Sequence, residues 1–208
     1  MLHVGCAGFP IPQTRYFREL GTVEVQETGQ RVPGPGTVAR WQREAPEGFV
    51  WTLLAPPGTL EGEMQDAPAF ALLARTLGAH AAVIAAPPSF APTKTNRVDL
   101  HRAIEKLPRL GKTFWALALP PGWPTSERKA IVGLGSVVLA ADPTGDPPPP
   151  GEVAYLRMPG PAGHRSRYED AALAKAAEAT RGFSEVYAIF SNADMVTDAK
   201  RLEGFVSA

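Results

Sequence analysis

Cysteine is nearly absent: Cys6 stands alone in 208 residues. One thiol cannot make an internal disulfide, which fits a reducing compartment. An excess charge of either sign is also missing, because 21 Lys and Arg balance 21 Asp and Glu. No basic stripe follows any predicted helix. Phosphate neutralisation supplies most generic affinity for nucleic acid, so such binding is not expected. Long apolar runs are lacking too, and none approaches the roughly 20 residues that span a bilayer. The start, Met1-Leu2-His3-Val4-Gly5, shows no charged n-region, so no signal peptide is read. A cytoplasmic, soluble protein with no membrane partner is the expectation. Gly-x-Gly-x-x-Gly, a Walker loop and Gly-x-Ser-x-Gly do not occur, which removes local support for dinucleotide, nucleotide and serine-hydrolase readings. His3, His80 and His101 show no metal-ligand spacing.

What the chain has is proline, 22 residues of it. Five short apolar runs stop at one: Thr52–Ala55 before Pro56, Val83–Ala86 before Pro87, Ala116–Leu119 before Pro120, Val137–Asp142 before Pro143 and Ala154–Met158 before Pro159. Proline has no N–H for a strand ladder, so pairing ends there. Helical-looking segments follow most of these runs. The rhythm predicts a parallel β/α chain with its strands' carboxyl ends marked, and sites in such folds are built at those ends.

Strands are read at His3–Cys6, Thr22–Gln26, Val50–Leu54, Ala82–Ala86, Thr113–Ala118, Ser136–Ala140, Val153–Arg157 and Glu185–Phe190. Helices are read at Thr14–Leu20, Thr37–Ala45 with Thr37 as cap, Ala67–Leu77, Val98–Leu107, Ser126–Val132, Asp170–Thr180 and Met195–Phe205. About eight mostly parallel strands with short helices give an α/β, TIM-barrel-like fold. A complete barrel usually needs about 250 residues. One trimmed domain over residues 1–208 is therefore expected. Pro147–Pro150 favour polyproline II and read as a stiff surface loop.

Several segments carry a resemblance in order. Val23-Glu24-Val25-Gln26-Glu27-Thr28, then Thr37-Val38-Ala39-Arg40-Trp41, then Ala45-Pro46-Glu47-Gly48-Phe49 are similar to the YecE-like family, domain of unknown function 72. Gly5-Cys6-Ala7-Gly8-Phe9, Ala86-Pro87-Pro88-Ser89-Phe90, Tyr155-Leu156-Arg157 with Gly160, Tyr168 with Leu173, and Val186–Asp194 continue the likeness over nearly the whole chain. The resemblance implies a TIM-barrel-like fold and no settled activity. It also marks departures. Where the family carries Asn, Lys and Gln at strand ends, this chain has Gln26, Leu54 and Ala85. The family's Phe-Tyr pair is Gly29-Gln30. Its Glu, Arg and His on the fifth strand are replaced within Ala116–Trp123, and its His after strand seven is Pro159. Most groups suited to proton transfer and charge stabilisation are thus missing from the expected rim.

The residues that remain define the candidate site. Glu24 and Arg157 can point inward and meet, because a buried charge needs a partner. Their structural reading is an ion pair; their functional reading is an anchor for an anionic ligand. Asp142, Asn192 and Asp194 fall at strand ends, where oxygen ligands hold Mg²⁺ or Mn²⁺ or bind the hydroxyls of a sugar. They equally suit turns and helix caps. The loop Gly160–Arg167 is the compact basic cluster, with His164 and Arg165, and loops after strand seven often bind phosphate in barrels. Cys6 reads as a buried small hydrophobe, and Trp123 as a lid, a stacking residue or a loop anchor.

Two main readings follow. The leading one is binding of a small anion such as phosphate or a sugar phosphate, or of a partner protein, with weak or no catalysis, using Gln26, Arg157, His164, Arg165 and Asn192. The alternative is a hydrolase on a phosphorylated or sugar-like substrate, with Glu24, Asp142 and Asp194 as catalytic carboxylates or metal ligands. A nucleic-acid enzyme rests on fold analogy alone. No cofactor is specified by these residues.

Overall fold

The computed structural model describes residues 1–133, 137–145 and 147–207. Eight strands close into a barrel in chain order, β1 to β8. They are β1 Leu2–Ala7, β2 Thr22–Val25, β3 Val50–Leu54, β4 Ala81–Ala85, β5 Phe114–Ala118, β6 Val137–Ala141, β7 Val153–Met158 and β8 Glu185–Phe190. The helices are α1 Gln13–Glu19, α2 Pro35–Glu44, α3 Ala67–Leu77, α4 Lys94–Glu105, α5 Thr125–Gly133, α6 Asp170–Glu178 and α7 Met195–Ser207. No helix among the described residues is long and apolar enough to cross a membrane.

The prolines act as expected. Ladder pairing stops within two residues of Pro56, Pro87, Pro120, Pro143 and Pro159. Helix starts differ from the sequence reading. Helix α2 opens at Pro35, two residues before Thr37, because proline presets the helical φ and needs no N–H partner at the first turn. Helix α4 opens at Lys94, where the Thr93 side chain accepts the Asn96 N–H at 3.1 Å. Between β6 and β7 none of the described residues is helical, and the Pro147–Pro150 tract lies in that connection with Pro148 buried. Ser136, read as the first residue of strand six, lies outside the described residues.

The residues divide into two compact units, each drawn from separated stretches of chain. The first takes Met1–Glu24, Ala45–Val50 and the chain from Ala140 on. Within it β1 pairs parallel with β2 and β8, and β7 with β8. Gly5 sits opposite Thr22 so closely that a Cβ there would lie 2.0 Å from the Thr22 carbonyl oxygen. The buried Tyr16 hydroxyl accepts the Cys6 N–H at 2.8 Å and donates to Thr22 O at 2.6 Å. Phe9, Tyr16, Phe17 and Phe49 pack edge-to-face around it.

The second unit takes Val25–Glu44 and Trp51–Leu139. Its strands β3, β4 and β5 pair parallel. Trp41 on α2 stacks on Trp51 of β3 at 5.7 Å, and Phe70 on α3 stacks on Trp115 of β5 at 6.1 Å. Each stack buries two large apolar faces between helix and sheet, the main driving term for this packing.

Candidate functional site

Three side chains of the first unit meet inside the barrel. Glu24 on β2 is fully buried, and a lone carboxylate there would be costly. Its Oε1 accepts Arg157 Nη2 at 2.8 Å, and its Oε2 accepts the Tyr155 hydroxyl at 2.8 Å. Tyr155 and Arg157 are two apart on β7 and so share a face. Both carboxylate oxygens thereby receive a donor. The attraction of Glu24 holds the guanidinium above its usual pKa, against the opposing cost of burial, with Tyr155 adding to the attraction. A quarter of the Arg157 side chain stays exposed.

A stack of rings continues from this triad across β7, β8 and β1 at one register. Tyr155 stacks on Tyr187 of β8 at 5.8 Å, and Tyr187 on His3 of β1 at 4.9 Å. His3 Nε2 lies 3.1 Å from Glu185 Oε1. Burial, then the neighbouring Glu185, push the Tyr187 phenol above its ordinary range.

A second polar group closes the end of β8. Asn192 is buried, and its Nδ2 donates to Ser166 O at 3.0 Å and to Asp198 Oδ2 at 2.8 Å. Asp198, also buried, accepts the Tyr168 N–H at 3.1 Å and Arg201 Nη1 at 2.6 Å. Asn192 Oδ1 has no hydrogen-bond partner among the described residues. The loop after β7 folds over this group. It turns at Gly160, whose φ is +98° and whose N–H donates to the Tyr168 hydroxyl at 2.8 Å. His164 Nδ1 lies 2.8 Å from Ser191 O. A carbonyl only accepts, so Nδ1 carries the proton and Nε2 is left for other contacts. Arg165 is exposed, and Arg167 pairs with Asp194 at 3.0 Å.

The structure therefore gathers some predicted residues and separates others. Glu24 and Arg157 meet, and Asn192 lies beneath the loop that bears His164 and Arg165. Asp142 serves its own turn, its Oδ1 accepting the Thr144 N–H at 3.0 Å and the Thr144 hydroxyl at 2.6 Å. Asp194 immediately precedes α7 and is engaged by Arg167. Gln26 follows β2 at the entrance of a 3-10 turn, Glu27–Gly29. Burial pushes the Cys6 thiol up to about 12, with the Tyr16 contact pulling the other way, so it remains an unreactive thiol at neutral pH. Trp123 is an anchor: its indole N–H donates to Phe90 O at 2.8 Å and its ring stacks on Phe90. The sequence reading did not assign Tyr155, Tyr168, Asp198 or Arg201 to the site. Tyr155 was signalled by its two-residue offset from Arg157, and Asp198 with Arg201 by helical i,i+3 spacing.

These features define a (β/α) barrel of the TIM class with polar groups at the carboxyl ends of β7 and β8. The chain belongs to the family described as Protein of unknown function DUF72, whose model matches residues 13–207. A DUF72 family protein from Enterococcus faecalis shares 20% identity over 100% of this chain and 98% of its own, with a TM-score of 0.79. A DUF72 family protein from Thermotoga maritima shares 16% identity over 100% of both chains, with a TM-score of 0.73. A D-psicose 3-epimerase, solved in the presence of D-fructose, shares 12% identity over 99% of this chain and 96% of its own, at a TM-score of 0.59. At these identities the likeness is one of fold. No curated protein matches the chain.

Proposed function

We propose that this DUF72 protein binds a small anion of the phosphate or sugar-phosphate class at the carboxyl ends of β7 and β8, with weak or no catalysis. The carrying observation is Arg157. Its guanidinium is fixed by Glu24 through Nη2, while a quarter of the side chain remains exposed. Guanidinium offers five donors, so one used edge leaves others for a ligand. The following loop adds exposed His164 and Arg165. Loops in this position of barrels commonly hold phosphate.

The three candidate catalytic carboxylates count against the hydrolase reading. Glu24, Asp142 and Asp194 are each engaged by internal donors. A general acid or base needs a proton site facing the substrate. The proposal includes a single domain, since each compact unit takes up several separated stretches of chain. A cytoplasmic setting accompanies it, because the single cysteine is a buried thiol.

Calorimetric titration with inorganic phosphate and with ribose 5-phosphate tests the reading. Saturable binding is expected, weakened about tenfold in a His164→Ala, Arg165→Ala double variant that loses one to two charge-assisted contacts. Absence of binding at millimolar ligand, or equal binding by the variant, overturns it.

A further inference from the structure

Between β3 and α3, within the second unit, the chain runs through a loop whose acceptors are taken and whose donors are not. Pro56 O accepts the Thr59 hydroxyl at 2.6 Å, Pro57 O the Gln65 N–H at 3.0 Å, Gly58 O the Glu63 N–H at 2.8 Å and Thr59 O the Gly62 N–H at 3.2 Å. The N–H groups of four successive residues, Gly58, Thr59, Leu60 and Glu61, meet no acceptor among the described residues. Thr59 is only 4% exposed, and a buried N–H without a partner is rare. An acceptor from outside the chain is the physical expectation for it.

All four residues line a cleft of about 340 Å³ at the carboxyl ends of β3 and β4. Successive N–H groups in a turn form a concavity suited to anions. Gly58 sets that turn: its φ is +79°, and a Cβ there would stand 2.1 Å from Glu63 O. Leu54 and Ile84 supply apolar walls, and Ala85 stands exposed at the edge. Gly29 lets Leu54 lie where it does, since a Cβ at residue 29 would fall 2.4 Å from Leu54 Cδ2.

The surrounding charges narrow the class of anion. Arg102 and Lys106, one turn apart on α4, run beside the loop: a Cβ on Gly62 would lie 3.1 Å from Lys106 Cδ and 3.6 Å from Arg102 Cγ. Arg102 reaches Asp99 at 3.3 Å, whereas Lys106 is exposed and makes no ion pair among the described residues. Glu61 and Glu63 are exposed too and make none either, so two acids offset the two bases. Recognition therefore falls to the fixed backbone donors, and net charge adds little. Two carboxylates oppose a dianion such as phosphate. A carboxylate ligand carries a single charge and offers about four lone-pair sites to the four N–H groups. We propose that this cleft binds a small carboxylate with an apolar body, its oxygens on the loop N–H groups and its body against Leu54 and Ile84. The site shares no residue with the β7–β8 rim, so neither proposal depends on the other.

The test titrates the isotope-labelled chain with benzoate, benzyl alcohol, benzylammonium and inorganic phosphate, reading the amide resonances of Gly58, Thr59, Leu60 and Glu61. Benzoate is expected to give saturable shifts at all four amides. The other three should bind there about tenfold more weakly or less, since each lacks either the charged acceptor or the apolar body. Lys106→Gln, at an exposed position, should weaken benzoate about two- to fivefold, as for an exposed ion pair. Ala85→Leu, at the exposed edge, should obstruct the cleft and abolish the shifts. The His164→Ala, Arg165→Ala double variant should bind benzoate as the parent does. The proposal is overturned by an absence of saturable shifts with benzoate, by benzylammonium or phosphate binding as tightly at these amides, or by unchanged affinity in both the Lys106→Gln and Ala85→Leu chains.

Discussion

Replacing Arg157 by Met probes the Glu24–Tyr155–Arg157 triad directly. The substitution keeps much of the aliphatic stem and removes the charge. It leaves Glu24, fully buried, with the Tyr155 hydroxyl as its remaining donor of the two described above. Breaking a buried ion pair from one side costs about 3–5 kcal/mol. Arg157 is a quarter exposed, so water entering its place softens the penalty and the lower end applies, about 3 kcal/mol. For a chain of this size each kcal/mol moves Tm by about 2–4 °C, giving a fall of about 6–12 °C. Urea unfolding followed by tryptophan fluorescence supplies the free energy, and a thermal scan supplies Tm. A Glu24→Leu, Arg157→Met double variant removes both charges and should recover most of the loss, because an apolar pair avoids the desolvation cost. Tyr155→Phe should cost about 2 kcal/mol, the value of a hydrogen bond to a charged group. A single Arg157→Met variant within about 0.5 kcal/mol of the parent, the range of an ordinary surface change, would refute the reasoning. So would a double variant no more stable than the single one.

Three further outcomes follow from the same structure. Stability should fall as pH rises from 9 towards about 12, because burial raises the Cys6 pKa from 9.0 to about 12 in the fold. A raised folded pKa gives stability that is complete below the unfolded value and lost as pH climbs through the folded one. Burial drives the Tyr16, Tyr168 and Tyr187 phenols in the same direction, and urea midpoints across that range would show no decline if these groups were solvated. Gly160→Ala should lower stability by about 2 kcal/mol or more, since φ is +98° and the new Cβ would stand 2.4 Å from Gly163 O; an unchanged melting temperature would contradict this placement. Asp198→Ala should cost about 3 kcal/mol by stranding one of the two Asn192 Nδ2 hydrogens, the Tyr168 N–H and part of Arg201, and a neutral result in chemical unfolding would deny the network.

Strand ends were legible because proline's missing N–H is a local fact that no tertiary contact repairs. Pro35 and Thr93 were equally local signals, but a proline opening and a threonine cap compete with neighbouring candidates such as Thr37 and Val98 when only spacing is read. The Glu24–Arg157 pairing was foreseeable because a carboxylate amid Val23 and Val25 cannot be buried alone. Tyr155 stands beside Arg157 in the sequence, but nothing local says that its hydroxyl reaches Glu24. Asp142 and Asp194 illustrate the converse. Their positions at strand ends matched a site, yet Thr144 and Arg167 take them up. Spacing along the chain says nothing about which neighbour reaches a carboxylate first.

By itself the sequence determined the β/α rhythm and the proline-marked strand ends, since each follows from the chemistry of single residues. Only the tertiary structure decided the further partners: Tyr155 for Glu24, Asp198 for Asn192, and Leu54 over Gly29. The reason is physical. A backbone without N–H is a property of one residue, whereas the charge, exposure and free donors of a site depend on what folding brings within about 3 Å.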